Sequence, residues 1–390
     1  MLKPSVRHLA GPLAVALPLT LAGPVRADAP PKDWFMRMVY SFRDARQVSR
    51  GEGVKIALLG DGVAATPALK GALVKEGDLV GLPRGRGRSD TPKASMLVSG
   101  GPTAAARRAV PGLVSKATLL PVRIYPFGDE PGARQWWNQT NMTGKTVEGI
   151  RYAADAGAQV IVVPLCTSSK DGVVRAAVHH AHRKNAVVIA PSCPTDTFPK
   201  LVDPIAVPGV IGVGAATAKG VRDRRATGQS SALAVTAPGI GLPVPGAKGR
   251  YLSVRGAAAA LSWVTAAVTM IKSRYPKLPP AQVYEAVVTS ARHPAGPGRF
   301  DFELGFGYID PAAALKKAGT LSAPPVAAKP VVADSARFGD GPETVRAVPY
   351  NVPWLVGFGA LGVAGLAALG AAFFLAVRRR PARPSDAAGT

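Results

Sequence analysis

Between Gln159 and Leu165 the chain reads QVIVVPL, an almost unbroken apolar run. A strand of this kind has apolar neighbours on both faces, which is the condition inside a parallel sheet covered by helices. Similar short runs recur at Val54–Leu59, Thr118–Ile124, Ala186–Ala190 and Val207–Ala215. Helical spacing separates them at Thr146–Ala156 (Val147, Ile150, Ala153, Ala154) and Gly172–His182, and longer helices are expected at Gly256–Tyr275 and Pro280–Ala291. The alternation predicts an α/β fold, a mostly parallel sheet in the middle of three layers. Hydrophobic residues make up 47% and aromatics 6%, so Ala, Val and Leu must supply most of the core.

The two ends predict export. Met1 to about Ala29 has a basic start (Lys3, Arg7), an apolar run from Leu9 to Ala22, and small residues at Ala27 and Ala29, the layout of a signal peptide. Val352–Val377 is apolar and uncharged, and about 20 such residues span a bilayer. Arg378, Arg379, Arg380 and Arg383 follow it, which puts residues 378–390 in the cytoplasm as a basic tail. The expected plan is a single-pass type I protein of the cell membrane, with the domain over 30–320 outside the cell. Residues 321–351, rich in Pro, Ala and Val, read as an extended linker. Ala360, Ala364, Ala368, Ala372 and Ala376 share one helix face, suited to packing on another membrane helix or simply a product of Ala richness.

The formal charge is +24. Export removes nucleic acid as the partner and leaves an anionic wall or lipid surface, unless Arg-rich codon usage explains the charge. Arg84, Arg86 and Arg88 alternate with Gly and read as a solvated loop. The cysteines, Cys166 and Cys193, permit one disulfide. The histidines are His8, His179, His180, His182 and His293. His179 and His182 share a helix face at a metal-binding spacing, but no third ligand is evident, so the cluster reads as a solvated face and neither metal nor cofactor is expected.

Several stretches, in order, resemble the subtilisin-like serine protease family: GEGVKIALLGDGV (Gly51–Val63), ATLLPVRIY (Ala117–Tyr125), TVEGIRYAADAGAQVIVVPL (Thr146–Leu165), NAVVIAPSC (Asn185–Cys193), VPGVIGVGAAT (Val207–Thr217), TAPG (Thr236–Gly239) and ELGFGYIDPAAAL (Glu303–Leu315). Signal peptide, domain, Pro-rich linker and terminal apolar helix together resemble the plan of mycosins, membrane-anchored members of that family in type VII secretion systems. The resemblance covers roughly Asp33 to Leu315 and implies the three-layer fold of the family.

Serine proteolysis requires a nucleophile, a general base, an orienting carboxylate and an oxyanion donor. Matched to the family's motifs, each place is altered. Gly60 stands at the Asp position. Asp61, one place later, reads as a turn residue or, through a local bulge, as a displaced replacement. Asp90 stands at the His position, with Thr91 and Pro92 after it, and suits the N-cap of the retained helix. Ala258 stands at the Ser position, and Ser262 lies one helical turn further on. Cys193 takes the place of the oxyanion Asn, whose loss alone costs about 3–4 kcal/mol of transition-state stabilisation. In the substrate segment, Pro164 removes an N–H donor and Cys166 replaces Gly. The resemblance also sets Cys166 and Cys193 at the ends of neighbouring strands, implying either a disulfide that seals the pocket or two buried thiols.

The expected function is therefore that of a catalytically inactive scaffold or regulator of a secretion complex, with a membrane protein of that complex as partner. The alternatives are a serine endopeptidase using an unconventional set (Asp61, Asp90, Ser262) and a wall- or peptide-binding module.

Overall fold

The computed structural model describes residues 33–85, 88–101, 110–167, 172–194, 202–245, 251–323 and 352–378. The signal peptide, Arg86, residues 324–351 of the linker and residues 379–390 of the basic tail lie outside them. The chain divides into two units, Met1–Pro324 and Pro325–Thr390.

Seven strands form the sheet of the first unit: β1 (Lys55–Gly60), β2 (Gly77–Asp78), β3 (Thr118–Arg123), β4 (Val160–Val162), β5 (Val187–Pro191), β6 (Ile211–Ala216) and β7 (Val235–Pro238). They are ordered β2-β3-β1-β4-β5-β6-β7, and every pairing is parallel. The sheet explains the apolar runs. Ile56, Leu58, Val160 and Val162 face one buried layer, while Ala57, Leu59, Ile161 and Val163 face the other.

On the first face, α6 (Ala257–Arg274) and α2 (Thr91–Val98) pack on the sheet, and α1 (Trp34–Val48), α7 (Pro280–Ser290) and α8 (Pro311–Ser322) pack around α6. The opposite layer holds α4 (Met142–Asp155) and α5 (Val173–Arg183). On α4, a Cβ at Gly149 would stand 2.7 Å from Ile124 Cγ2 and 2.9 Å from Leu59 Cδ2, so the missing side chain brings the helix onto the sheet. A short α3 (Ala133–Gln139) precedes α4, and β8 (Ile240–Pro245) pairs antiparallel with β9 (Tyr251–Arg255).

The expected strands and helices form, with changes at their ends. β4 is shorter than Gln159–Leu165, because Pro164 has no N–H to continue the ladder. β6 begins at Ile211, since the residues before it turn at Gly209. The solvated loop expected at Arg84 and Arg88 is corrected. Arg84 pairs with Glu76 and Asp78, and Arg88 with Glu130. Arg123, fully buried, joins exposed Asp78 to buried Glu130, so these cations neutralise a carboxylate cluster whose innermost member is Glu130.

In the second unit, α9 runs Val352–Arg378. Among the described residues no helix is long and apolar enough to cross a membrane. Within α9 the side chains are described over 356–372 and 374–375.

Candidate functional site

The chain visits β2 and β3 on one side of β1 and then returns to β4 on the other side. In a parallel sheet such a reversal opens a crevice beyond the carboxyl ends of the strands. Gly60 is the last residue of β1, and Asp61 sits in the bend that follows, fully buried.

Asp61 and Asp90 hold each other through their backbones. Asp61 N–H donates to Asp90 Oδ2 (2.8 Å), and Asp90 N–H donates to Asp61 Oδ1 (3.2 Å). Ser89 N–H also donates to Asp61, at 2.8 Å. The carboxylates thus fasten the end of β1 to the start of α2. Asp90 occupies the N-cap position of α2, but its side chain makes no capping bond. It turns towards β1 instead, and its second oxygen meets the Lys93 ammonium.

This arrangement depends on Gly60. A Cβ there would stand 1.7 Å from Asp90 Oδ2 and 2.6 Å from its Cγ. The Asp90 carboxyl therefore fills the volume that any side chain at residue 60 would need. Burial pushes its pKa up to about 6; Lys93 lowers it and the Asp61 charge raises it further. Tyr125, just past β3, has its hydroxyl pKa raised by burial and by the Asp90 and Asp61 charges. Its ring packs on Trp137 of α3 at 5.6 Å. Lys93, Tyr125 and Trp137 escape a motif-by-motif reading, although the spacing from Asp90 to Lys93 is legible as a helical ion pair.

Gly256 enters α6 at φ 61°, a conformation that favours glycine. Ala258 lies in the first turn, half-buried. Ser262 is nearly buried, and its hydroxyl donates to Ala258 O at 2.9 Å. The described hydrogen bonds of Ser262, Asp61 and Asp90 do not join the hydroxyl to either carboxylate, so the structure does not assemble that set into a nucleophile and base.

The described histidines lie away from Asp61, Asp90 and Ser262 in their bonding or their layer. His179, His180 and His182 lie on α5, across the sheet from α2 and α6, in the half of the helix that leads to the start of β5. His180 Nε2 bonds Asp155 at 2.7 Å, and His182 packs over Gly209, with its pKa lowered chiefly by burial. No metal-binding group occurs among the described residues. The His293 side chain is enclosed: Nδ1 accepts the Ala295 N–H at 3.1 Å, so Nε2 carries the proton towards Asp301 at 3.0 Å. Its lone pair is already taken. His8 lies outside the described residues.

β4 and β5 are neighbours, and just beyond them Cys166 and Cys193, the pair for which a disulfide is expected, stand with Cα atoms 6.4 Å apart. That separation is within the reach of the bond. Cys166 directly follows half-buried Leu165, and Cys193 lies two residues past the end of β5.

A parallel seven-stranded sheet, helices on both faces, a long buried helix opened by glycine and a crevice at the strand reversal define the subtilisin-like class of α/β protein. The chain belongs to the subtilase family, whose model matches residues 51–307. Mycosin-1 of Mycolicibacterium smegmatis is 26% identical over 363 residues, spanning 77% of this chain and 75% of the relative. Among solved structures, a serine protease MycP1, described as an essential component of the type VII (ESX-1) secretion system, is 26% identical with a TM-score of 0.58. It covers 74% of this chain and 89% of its own. A chain in an intact ESX-5 inner membrane complex is 25% identical with a TM-score of 0.54 and covers 92% of both chains.

Proposed function

We propose that this chain is a mycosin-like subtilase without peptidase activity, serving as a non-catalytic part of a type VII-like secretion complex. One observation carries the loss of chemistry: the Asp90 carboxyl fills the space of a residue-60 side chain and is tied to Asp61 and Lys93. Gly60, Asp90, Ala258 and Cys193 then stand at the positions of the orienting acid, base, nucleophile and oxyanion donor. A hydroxyl without a base is a poor nucleophile; the α5 histidines lie across the sheet from α6, and His293 is bonded to Asp301 and Ala295. The Cys166–Cys193 bridge and Pro164 further oppose an extended substrate.

The scaffold role is supported by preserved packing around altered chemistry and by the relatives' place in secretion complexes. In this reading the signal peptide is removed, the apolar segment 352–377 holds the chain at the membrane, and Asp33 to about Tyr350 lies outside. Crosslinking the native protein in its membrane, followed by mass spectrometry, tests the role. Recovery of other membrane components of the secretion complex is expected. Recovery of the chain alone, in a membrane where that complex is assembled, would contradict it.

A further inference from the structure

A second concavity lies between α1 and α6. Its volume is about 330 Å³, and its floor includes Phe42, Leu242 and Trp263. The Phe42 and Trp263 rings pack at 4.7 Å, and Trp263 Nε1 donates to Ile240 O, which fixes the indole. Along one rim stand Arg43, Arg46 and Arg50. Arg43 and Arg46 are one helical turn apart on α1, and Arg50 follows two residues after its end. Among the described residues Arg43 has only exposed Asp44 as an ion-pair partner, at 3.3 Å. Among the described residues Arg46 and Arg50 have no ion-pair partner, and no Asp or Glu lines the groove. Arg46 is half-buried, and both burial and the Arg50 charge oppose its own charge. The negative end of α1 offsets part of this repulsion, but only a fraction of one charge. Cations in this state are satisfied by an incoming anion that forms paired bonds to guanidinium groups.

The size limits what carries the anion. A cavity of about 150 Å³ admits one benzene ring, so this groove takes one or two apolar side chains. It is too small for the two acyl chains of a phospholipid, each reaching half of a bilayer core of about 30 Å. We propose that this groove docks an acidic peptide segment of a partner protein. An apolar side chain of that segment would enter between Phe42 and Leu242, and its carboxylates would meet Arg43, Arg46 and Arg50. The inference rests on the groove and is independent of whether the crevice beyond β1 is catalytically dead.

The test uses the full chain in nanodiscs of zwitterionic lipid. The probe is a fluorescein-labelled peptide of alternating Glu and Asp containing one Phe and one Leu. Fluorescence anisotropy measures its binding. A tenfold or greater loss of affinity is expected for Arg46→Gln and for Arg50→Gln, with unfolding midpoints unchanged, and a similar loss when Phe and Leu of the peptide become Ala. Affinity should also fall steeply with added salt. Equal binding by the Ala peptide, or unchanged binding by both Arg variants, would overturn the proposal in favour of diffuse charge attraction. Undetectable peptide binding would overturn it as well. So would competition for the groove by nanodiscs rich in phosphatidylglycerol, which would make the occupant a lipid.

Discussion

A methyl group on Gly60 would stand 1.7 Å from Asp90 Oδ2, and neither partner has room to retreat, because Asp90 is also bonded to Asp61 N–H. Gly60→Ala should therefore cost on the order of 3 kcal/mol. The same change in an Asp90→Ala background should cost much less, a coupling of about 1–3 kcal/mol in a double-mutant cycle read by guanidinium unfolding. Equal costs in both backgrounds would show that Asp90 does not fill that space. Asp90 also makes a pH prediction. Its folded pKa, about 6, lies above the ordinary 3.8, so the native state holds this proton more tightly than the unfolded chain. Its contribution is full below about pH 4 and is lost as pH rises through 6, up to about 3 kcal/mol. Asp90→Asn removes that titration, so the variant should gain stability relative to the natural chain between pH 4 and 6, then hold level. The residue identities here are legible in the sequence. That Asp90 turns from its helix to fill the gap over Gly60 is not, because the contact joins two elements that only the folded sheet brings together.

Elements with a strong local period are legible, and those defined by their neighbours are less so. β1, β3, β5 and β6 follow from their apolar runs, and α6 from its length. β2 is two residues on the sheet edge and carries no pattern. β8 contains Pro243 and Pro245, which argue against a strand in sequence but are tolerated in a two-stranded hairpin. α1 goes unpredicted although Trp34, Met38, Phe42 and Ala45 recur at helical spacing on its buried face. Two predictions belong to this scale. At the end of α6, buried Lys272 donates to Asn185 Oδ1, Pro276 O and Leu278 O, tying α6 to the turn before β5. Burial lowers its pKa from 10.5 to about 8, so the unfolded chain holds the proton more tightly. Stability should rise as pH climbs from about 8 to 10.5, and Lys272→Gln should flatten that rise. Beyond β4 and β5, the Cys166–Cys193 bridge closes a sequence separation of 27 residues. Cys193→Ser should lower stability by about 3 kcal/mol. Unreduced mass spectrometry of the natural chain should find the two cysteine peptides linked, and separate thiol peptides would refute the bridge.

Across the whole molecule, the subtilase frame and the altered crevice are compatible because they use different residues. The sheet is held by Val, Ile, Leu and Ala packed in two layers, and that pattern survives the substitutions proposed at the catalytic positions. Fold class was therefore legible from apolar period and motif order, whereas activity has to be judged from individual side chains. The formal charge of +24 is more specific than its sum suggests. Arg84, Arg88 and Arg123 serve the carboxylates Glu76, Asp78 and buried Glu130, while Arg46 and Arg50 face the groove between α1 and α6. The proposed absence of peptidase chemistry is tested most directly by exposing the purified full chain to a fluorophosphonate probe, which reports any activated serine by covalent attachment. No labelling is predicted, either of the natural chain or of Ala258→Ser alone, since neither supplies a base. Stoichiometric labelling of the natural chain at Ser262 or any other serine would contradict the account.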